Sequence, residues 1–343
     1  MIKLYKEIQK SLNLRNYRLF KIMSKRRVNK QQSARIKKIQ ANYRSSTETS
    51  ETSLPGLVLT RFSRHAEIED NAGNRIHCSI RPNIDSLVAG DRVIWQPEGI
   101  RQGVIVSRFP RDSMLGRPDK RGEFKPVAAN ITQIMAVVAA KPALSWALLD
   151  SYIVMAESLK LRICIILNKF DLDCGTIRED LETFYQPLGY PLLFTSKEDP
   201  QTYLQLKEAL NHHVSVFVGQ SGVGKSSLIA GILPHEVNIQ TAEISLNTEL
   251  GCHTTSNSRL YHLPDGGALI DSPGVRELGL WHMPLSEIVD GYREFQPFSN
   301  QCKFRNCNHQ DTPDCAIISA VKSGHISARR YESFIKITNQ FLK

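Results

Sequence analysis

Residues Gly219, Gln220, Ser221, Gly222, Val223, Gly224, Lys225 and Ser226 spell G-x-x-x-x-G-K-S, and the chemistry of that spacing is phosphate binding. Glycines at those places let backbone N–H groups approach phosphate oxygens, and a helix that starts there adds the positive end of its dipole. Lys225 would reach the β- and γ-phosphates of a nucleoside triphosphate. Ser226 would offer its hydroxyl to Mg2+, with Ser227 beside it in the first helical turn. The run VSVFV before the loop reads as a strand and SLIAGIL after it as an apolar helix, the context such a loop needs.

A second motif, NKFD, has the form N-K-x-D from Asn168 to Asp171 and follows the apolar run ICIIL. A carboxylate at Asp171 can accept hydrogen bonds from guanine N1–H and the N2 amino group, a donor pair that adenine lacks. Asn168 would contact the base and brace the site, and Lys169 would lay its stem on the ring. Thr195, Ser196 and Lys197 would add a weaker backbone contact near the base. A third motif, DSPG, has the form D-x-x-G: Asp271 would hold a Mg2+-bound water and the Gly274 amide would sense the γ-phosphate. Between loop and DSPG lies GCHTTS, where a switch belongs. Thr254 or Thr255 would give Mg2+ a second protein ligand, the pattern favouring Thr255. The position after D-x-x-G that often carries a water-orienting glutamine is Val275 here. His253 is the candidate to position water instead; its other reading is a contact to RNA or a neighbouring loop.

These parts run base motif, phosphate loop, switch, D-x-x-G, a circular permutation of the usual GTPase order. A site assembled in space tolerates such a cut because domain termini often lie close together. The cut leads the D-x-x-G switch directly into the C-terminal segment, which a rearranging switch could shift.

Cys302, Cys307, His309 and Cys315 form C-x4-C-x-H-x5-C. Three thiolates and an imidazole suit one tetrahedral Zn2+, structural because no coordination position stays open. The seven cysteines are an odd number of metal-type usage, not a disulfide framework, and Cys164 packs as a small hydrophobe.

The elements that must position these motifs divide the chain into four. Residues 1–50, rich in Lys, Arg, Gln, Ser and Asn, read as a basic tail that is disordered when free, either simply solvated or ordering on RNA. The polar N-terminus excludes a signal peptide but leaves an organellar targeting peptide open, and Met23 is an alternative start. Residues 51–126 hold short β-branched runs broken by turn signals and read as an OB-fold barrel. Arg61, Arg64, His65, Arg81 and Arg92 with Phe62 would give it a basic, stacking surface, while Trp95 either stacks too or packs in the core. Residues 110–126 read as a polar, basic loop leading out. Residues 127–283 alternate strand and helix, giving an α/β domain with a mainly parallel sheet whose ligand sits beyond the carboxyl ends of its strands. Ser145 is the expected N-cap of its first helix. Residues 284–343 read as a helical, basic, zinc-binding domain. A net charge of +10 over 343 residues favours a polyanionic partner, nucleic acid first. No apolar run approaches the roughly 20 residues of a membrane span.

The combination resembles the RsgA (YjeQ) family, on the segments SLVAGDRV, KPVAANI, NKFD, GQSGVGKSSL, HTT, IDSPGVRELGLW and the zinc spacing. The resemblance runs from about Met23 to the end. It implies a cytoplasmic GTPase that binds the small ribosomal subunit and its rRNA and leaves after hydrolysing GTP to GDP late in subunit maturation; a monomer is expected only because nothing in the sequence suggests an obligate dimer. Cys252 departs from the family at a place where a polar or basic residue is expected, as does the segment before Met23. Two further readings stand beside it: an RNA-binding module or chaperone with a nucleotide-gated conformation and little turnover, and a permuted GTPase acting on another RNA assembly. Asp171 counts against an ATP-dependent kinase.

Overall fold

Short runs of Val, Ile, Leu and Trp between Gly and Asn turns fold into five strands, β1 (Leu54–Phe62), β2 (His65–Asp70), β3 (Arg75–Ile80), β4 (Arg92–Gly99) and β5 (Gln102–Arg108). They close in the order β1-β2-β3-β5-β4 and back to β1, with only β3 and β5 parallel. This is the five-stranded barrel expected of an OB-fold. The computed structural model describes residues 53–84, 86–118, 123–233, 258–272 and 283–341; the expected basic tail lies outside them. Period-2 alternation sends Val58, Ala66, Ile68, Ile76, Cys78, Val93 and Ile105 into the barrel core. Trp95 joins them at 4% exposure and donates its indole N–H to Pro55 O at 3.3 Å. Of its two sequence readings, the core one holds. Of the expected basic surface, Arg64, His65 and Phe62 are exposed. Arg61 is turned partly inward, its guanidinium on Leu87 O at 3.3 Å, and burial lowers its pKa. Arg92 is paired with Asp112 at 2.6 Å.

The expected loop at 110–126 is instead largely a hairpin, β6 (Met114–Pro118) with β7 (Phe124–Ala129). Its polar composition misleads because a two-stranded ribbon needs few buried faces. Gly116 gives room beneath Phe124: an added Cβ would stand 2.4 Å from that ring. At the far end Ala89 bridges Ala128, Asn130 Nδ2 donates to Gly90 O at 2.7 Å, and a Cβ on Gly90 would strike Ala129 O at 2.1 Å. The segments SLVAGDRV and KPVAANI thus meet each other where the barrel joins the next domain. Arg111 fastens the same corner with a buried fork on Asp91, at 2.7 and 2.8 Å.

Five parallel strands follow: β8 (Gln133–Ala139), β9 (Arg162–Asn168), β10 (Leu192–Thr195), β11 (Val214–Val218) and β13 (Ala268–Asp271). β12 (Arg259–His262) runs antiparallel to β13 and touches β1 through Thr60 and Arg259. The order is β10-β9-β8-β11-β13-β12. Every residue of β8 is buried, because its alternating side chains feed two cores. Ile134, Ala136 and Val138 face one, Met135, Val137 and Ala139 the other. The second core is covered by α3 (Thr202–Leu210) and α4 (Lys225–Ile232). The first is covered by α1 (Trp146–Leu159), whose N-cap Ser145 accepts from Leu148 N–H as expected, with α2 (Ile177–Phe184) beside it.

The C-terminal residues give α5 (Leu285–Asp290), α6 (Gln296–Ser299), α7 (Ala316–Lys322) and α8 (Ala328–Phe341). Phe295, Ile317, Phe334 and Ile337 share the first core with α1. No helix among the described residues is long and apolar enough to cross a membrane.

Candidate functional site

The carboxyl ends of β8, β9, β10, β11 and β13 lie along one edge of the sheet, and the motifs follow them. The loop from Gly219 to Gly224 links β11 to α4. Gly219, Gly222 and Gly224 have φ of 144°, 84° and 98°, a region L side chains avoid. A Cβ on Gly219 would lie 2.2 Å from Val137 O, and one on Gly224 would lie 2.3 Å from Asn168 Nδ2. Buried Lys225 closes the loop on itself, its ammonium donating to Gly219 O and Gln220 O at 2.6 Å each. A phosphate would offer that ammonium charged acceptors in place of carbonyls. Ser226 and Ser227 are exposed on the first turn of α4.

Asn168 ends β9 and is buried. Its Nδ2 donates to Val223 O at 2.8 Å, while Thr195 Oγ1 donates to its Oδ1 at 2.9 Å. One side chain therefore ties the base motif, the phosphate loop and the end of β10 together. Lys169, with φ of 59°, bridges Lys141 O at 2.9 Å and Gly222 O at 2.7 Å. Asp171 is exposed and accepts from the Ser196 hydroxyl, which holds its pKa below the ordinary carboxylate value. A fixed, ionised carboxylate is what a guanine edge requires. Beneath it Phe170 and Phe194 pack at 5.1 Å, with the Arg178 guanidinium 5.5 and 5.2 Å from their centroids.

The structure thus brings together Asn168, Lys169, Asp171 and the loop 219–227. It sets Asp271 at the end of β13, the parallel neighbour of β11. His253, Thr254, Thr255 and Gly274 lie outside the described residues. Sequence reasoning missed the segment after β8. Lys141 supplies a carbonyl to Lys169, and Ser145 N–H donates to Gln220 Oε1 at 3.2 Å. The available signal was its position directly after a fully buried strand. Ser196 was also read only as a backbone contact, whereas its side chain fixes Asp171.

Gly224→Ala is expected to weaken GDP binding by roughly ten- to a hundredfold, because roughly 1–3 kcal/mol of backbone strain would be relieved by opening the Asn168 junction. Titration of GDP against the variant, with a melting curve as control, checks this. Unchanged affinity would detach that junction from nucleotide binding.

Cys302, Cys307, His309 and Cys315 gather with all four ligand atoms within 4.8 Å of one another. His309 Nδ1 lies 3.5 Å from the sulfurs of Cys302 and Cys315, which are 3.9 Å apart. A tetrahedron with Zn–S of about 2.3 Å and Zn–N of about 2.0 Å has edges of about 3.5–3.8 Å, so the donor set fits zinc. Burial lowers the His309 pKa, favouring the neutral ligand form, and pushes the Cys315 thiol up to about 12, so its thiolate needs a cation. Tyr331 donates to His309 O at 2.8 Å and Gln310 Nε2 to Thr338 Oγ1 at 2.7 Å, seating the ligand loop on α8.

The RsgA GTPase family model matches residues 108–281. The chain is similar to a Hahella chejuensis protein named small ribosomal subunit biogenesis GTPase RsgA. The two are 44% identical over 335 residues, covering 92% of this chain and 96% of that one. An Alcanivorax borkumensis protein of the same name is 44% identical over 341 residues, with 92% and 96% covered. Among solved structures, YjeQ from Thermotoga maritima aligns with a TM-score of 0.69 and 31% identity, over 84% of this chain and 99% of that one. YloQ, a circularly permuted GTPase, aligns with a TM-score of 0.67 and 25% identity, over 85% and 96%.

Proposed function

The chain belongs to the RsgA GTPase family, and from that premise we propose that it binds the small ribosomal subunit and uses GTP hydrolysis to time a late step of maturation and its own release. The observation that carries the reading is the direct bond from Asn168 to Val223, which joins a guanine-reading motif to a phosphate loop in permuted order. Asp171 reads the base, Asn168 and Lys169 hold the two motifs in register, and the 219–224 backbone with Lys225 takes the phosphates. Ser226 and Thr255 would hold Mg2+, and Asp271 a water bound to it; the ion neutralises phosphate charge when present. Gly274 would report on the γ-phosphate, and His253 would position the attacking water, since Val275 cannot. Cys302, Cys307, His309 and Cys315 would hold one structural zinc. The excess of basic residues supports an rRNA contact, and the protein acts as a cytoplasmic monomer.

Steady-state GTP hydrolysis by the purified chain is expected to be slow alone, strongly stimulated by small ribosomal subunits and unaffected by large ones. Equal stimulation by both subunits, or by neither while GTP still binds, would remove the small subunit from the proposal.

A further inference from the structure

Helix α1 is used on two opposite sides. Residues 150 and 152 are about 200° apart around a helix axis, and they carry the two contacts that matter. On one side buried Tyr152 turns its hydroxyl to the Gly219 backbone, at the first glycine of the phosphate loop. The N-cap of the same helix holds that loop a second time, through Ser145 N–H on Gln220 Oε1 at 3.2 Å.

On the other side Asp150, fully buried, meets Arg330 of α8, which is 1% exposed. Arg330 also forks onto Glu294 at 2.7 and 3.2 Å, and Tyr185 donates to Asp150 Oδ1 at 2.9 Å. The guanidinium lies between the rings of Tyr185 and Tyr292, 4.9 and 4.6 Å from their centroids. Its neighbour Arg329 covers Trp146, the first residue of α1, at 4.6 Å and pairs with Asp180 at 2.7 Å. Beyond α5, Gly291 lies flush on α1: a Cβ there would stand 2.9 Å from Val154 Cα.

Asp150 cannot leave Arg330 without being stranded as a buried charge with no cation, while Arg330 stays forked on Glu294, so α1 and the zinc-bearing domain move together. A helix is stiff along its length, and a displacement imposed at Asp150 is delivered at Tyr152 and Ser145. We propose that α1 is a lever through which docking of the C-terminal domain, by way of Arg330, positions the Gly219–Gln220 end of the phosphate loop. Tyr152 is the positioning residue on the nucleotide side. The route is separate from the switch that follows Asp271, and it rests on the guanine-nucleotide reading of the site. Linkage makes it reciprocal: a nucleotide that tightens the loop also tightens the docking of the zinc-bearing domain.

The test is a double-mutant cycle on the full chain, read by the release rate of a fluorescent GDP. Tyr152→Phe removes only the hydroxyl, and Arg330→Lys keeps a charge while losing the fork. Each is expected to speed GDP release about five- to twentyfold, and the pair by little more than the larger single effect. Should Arg330→Lys fail to fold, Tyr185→Phe, which loosens Asp150 without unpairing Arg330, takes its place in the cycle. Melting midpoints report any global destabilisation, which by itself would not produce non-multiplicative release rates. Effects that multiply, or a Tyr152→Phe release rate within about twofold of the parent, overturn the lever alone. A parent chain that fails to retain GDP overturns the nucleotide reading and the lever with it.

Discussion

Asp171→Asn is expected to lower GTP affinity on the order of a hundred- to a thousandfold and to create binding of xanthosine triphosphate. Guanine offers two N–H donors on one edge. The Asp171 carboxylate, held by the Ser196 hydroxyl and kept ionised, offers two acceptors to match. An amide in its place offers one acceptor and one donor, so one guanine hydrogen bond is lost and one N–H faces another. Xanthine replaces the 2-amino group with an oxygen and suits the amide. Ser196 donates equally well to an amide oxygen, and Asn168 still ties β9 to Val223, so the variant should fold and keep its phosphate loop. The measurement is a set of dissociation constants for GTP, XTP and ATP. An unchanged order of affinities would show that Asp171 does not read the base.

Cys315→Ser is expected to have the largest effect on stability. Structural zinc contributes about 10–16 kcal/mol in small zinc-binding peptides. Even a third of that, about 3–5 kcal/mol, is a large fraction of the whole stability of many domains, about 5–15 kcal/mol. Cys315 is buried among core residues at the N-cap position of α7, where its side chain makes no capping bond, so the substitution removes a ligand and spares the helix start. The loop it closes rests on α8 through Tyr331 and Gln310, and α8 carries Arg330 into the interface with α1. Metal analysis should find about one zinc per parent chain and roughly none in the variant. Melting should show an early transition for the C-terminal helices. A parent chain without zinc, or a variant melting with the parent, would remove the structural role assigned to the ion.

The candidate motifs were legible in the sequence because their residues are contiguous. A phosphate loop needs glycines at set backbone positions, and a base-reading motif needs Asp171 one residue beyond Lys169-Phe170. A zinc site needs four ligands on one short loop. Spacing alone reports each of these, and their order along the chain gives the permutation. Alternation and turn residues likewise gave the strands of the barrel, the buried strand β8 and the capped helix α1. Composition failed where local character and tertiary role part company. The polar stretch 110–126 forms most of a hairpin because its two arms satisfy each other's backbone groups. Trp95 could not be assigned to core or surface without knowing which face of β4 the barrel encloses.

What the sequence determined by itself, then, is which chemical groups exist and how each local segment presents them. The tertiary structure alone decided which of them meet. Asn168 finds Val223 across 55 residues, and Arg330 finds Asp150 across 180. Tyr152, one more apolar-face position in a helical pattern, becomes a neighbour of Gly219. The physical reason is that local propensities are set by sterics and hydrogen bonding within a few residues. Long-range pairs form only when sheet order and core packing bring their backbones together, and neither is written in the spacing of the residues concerned.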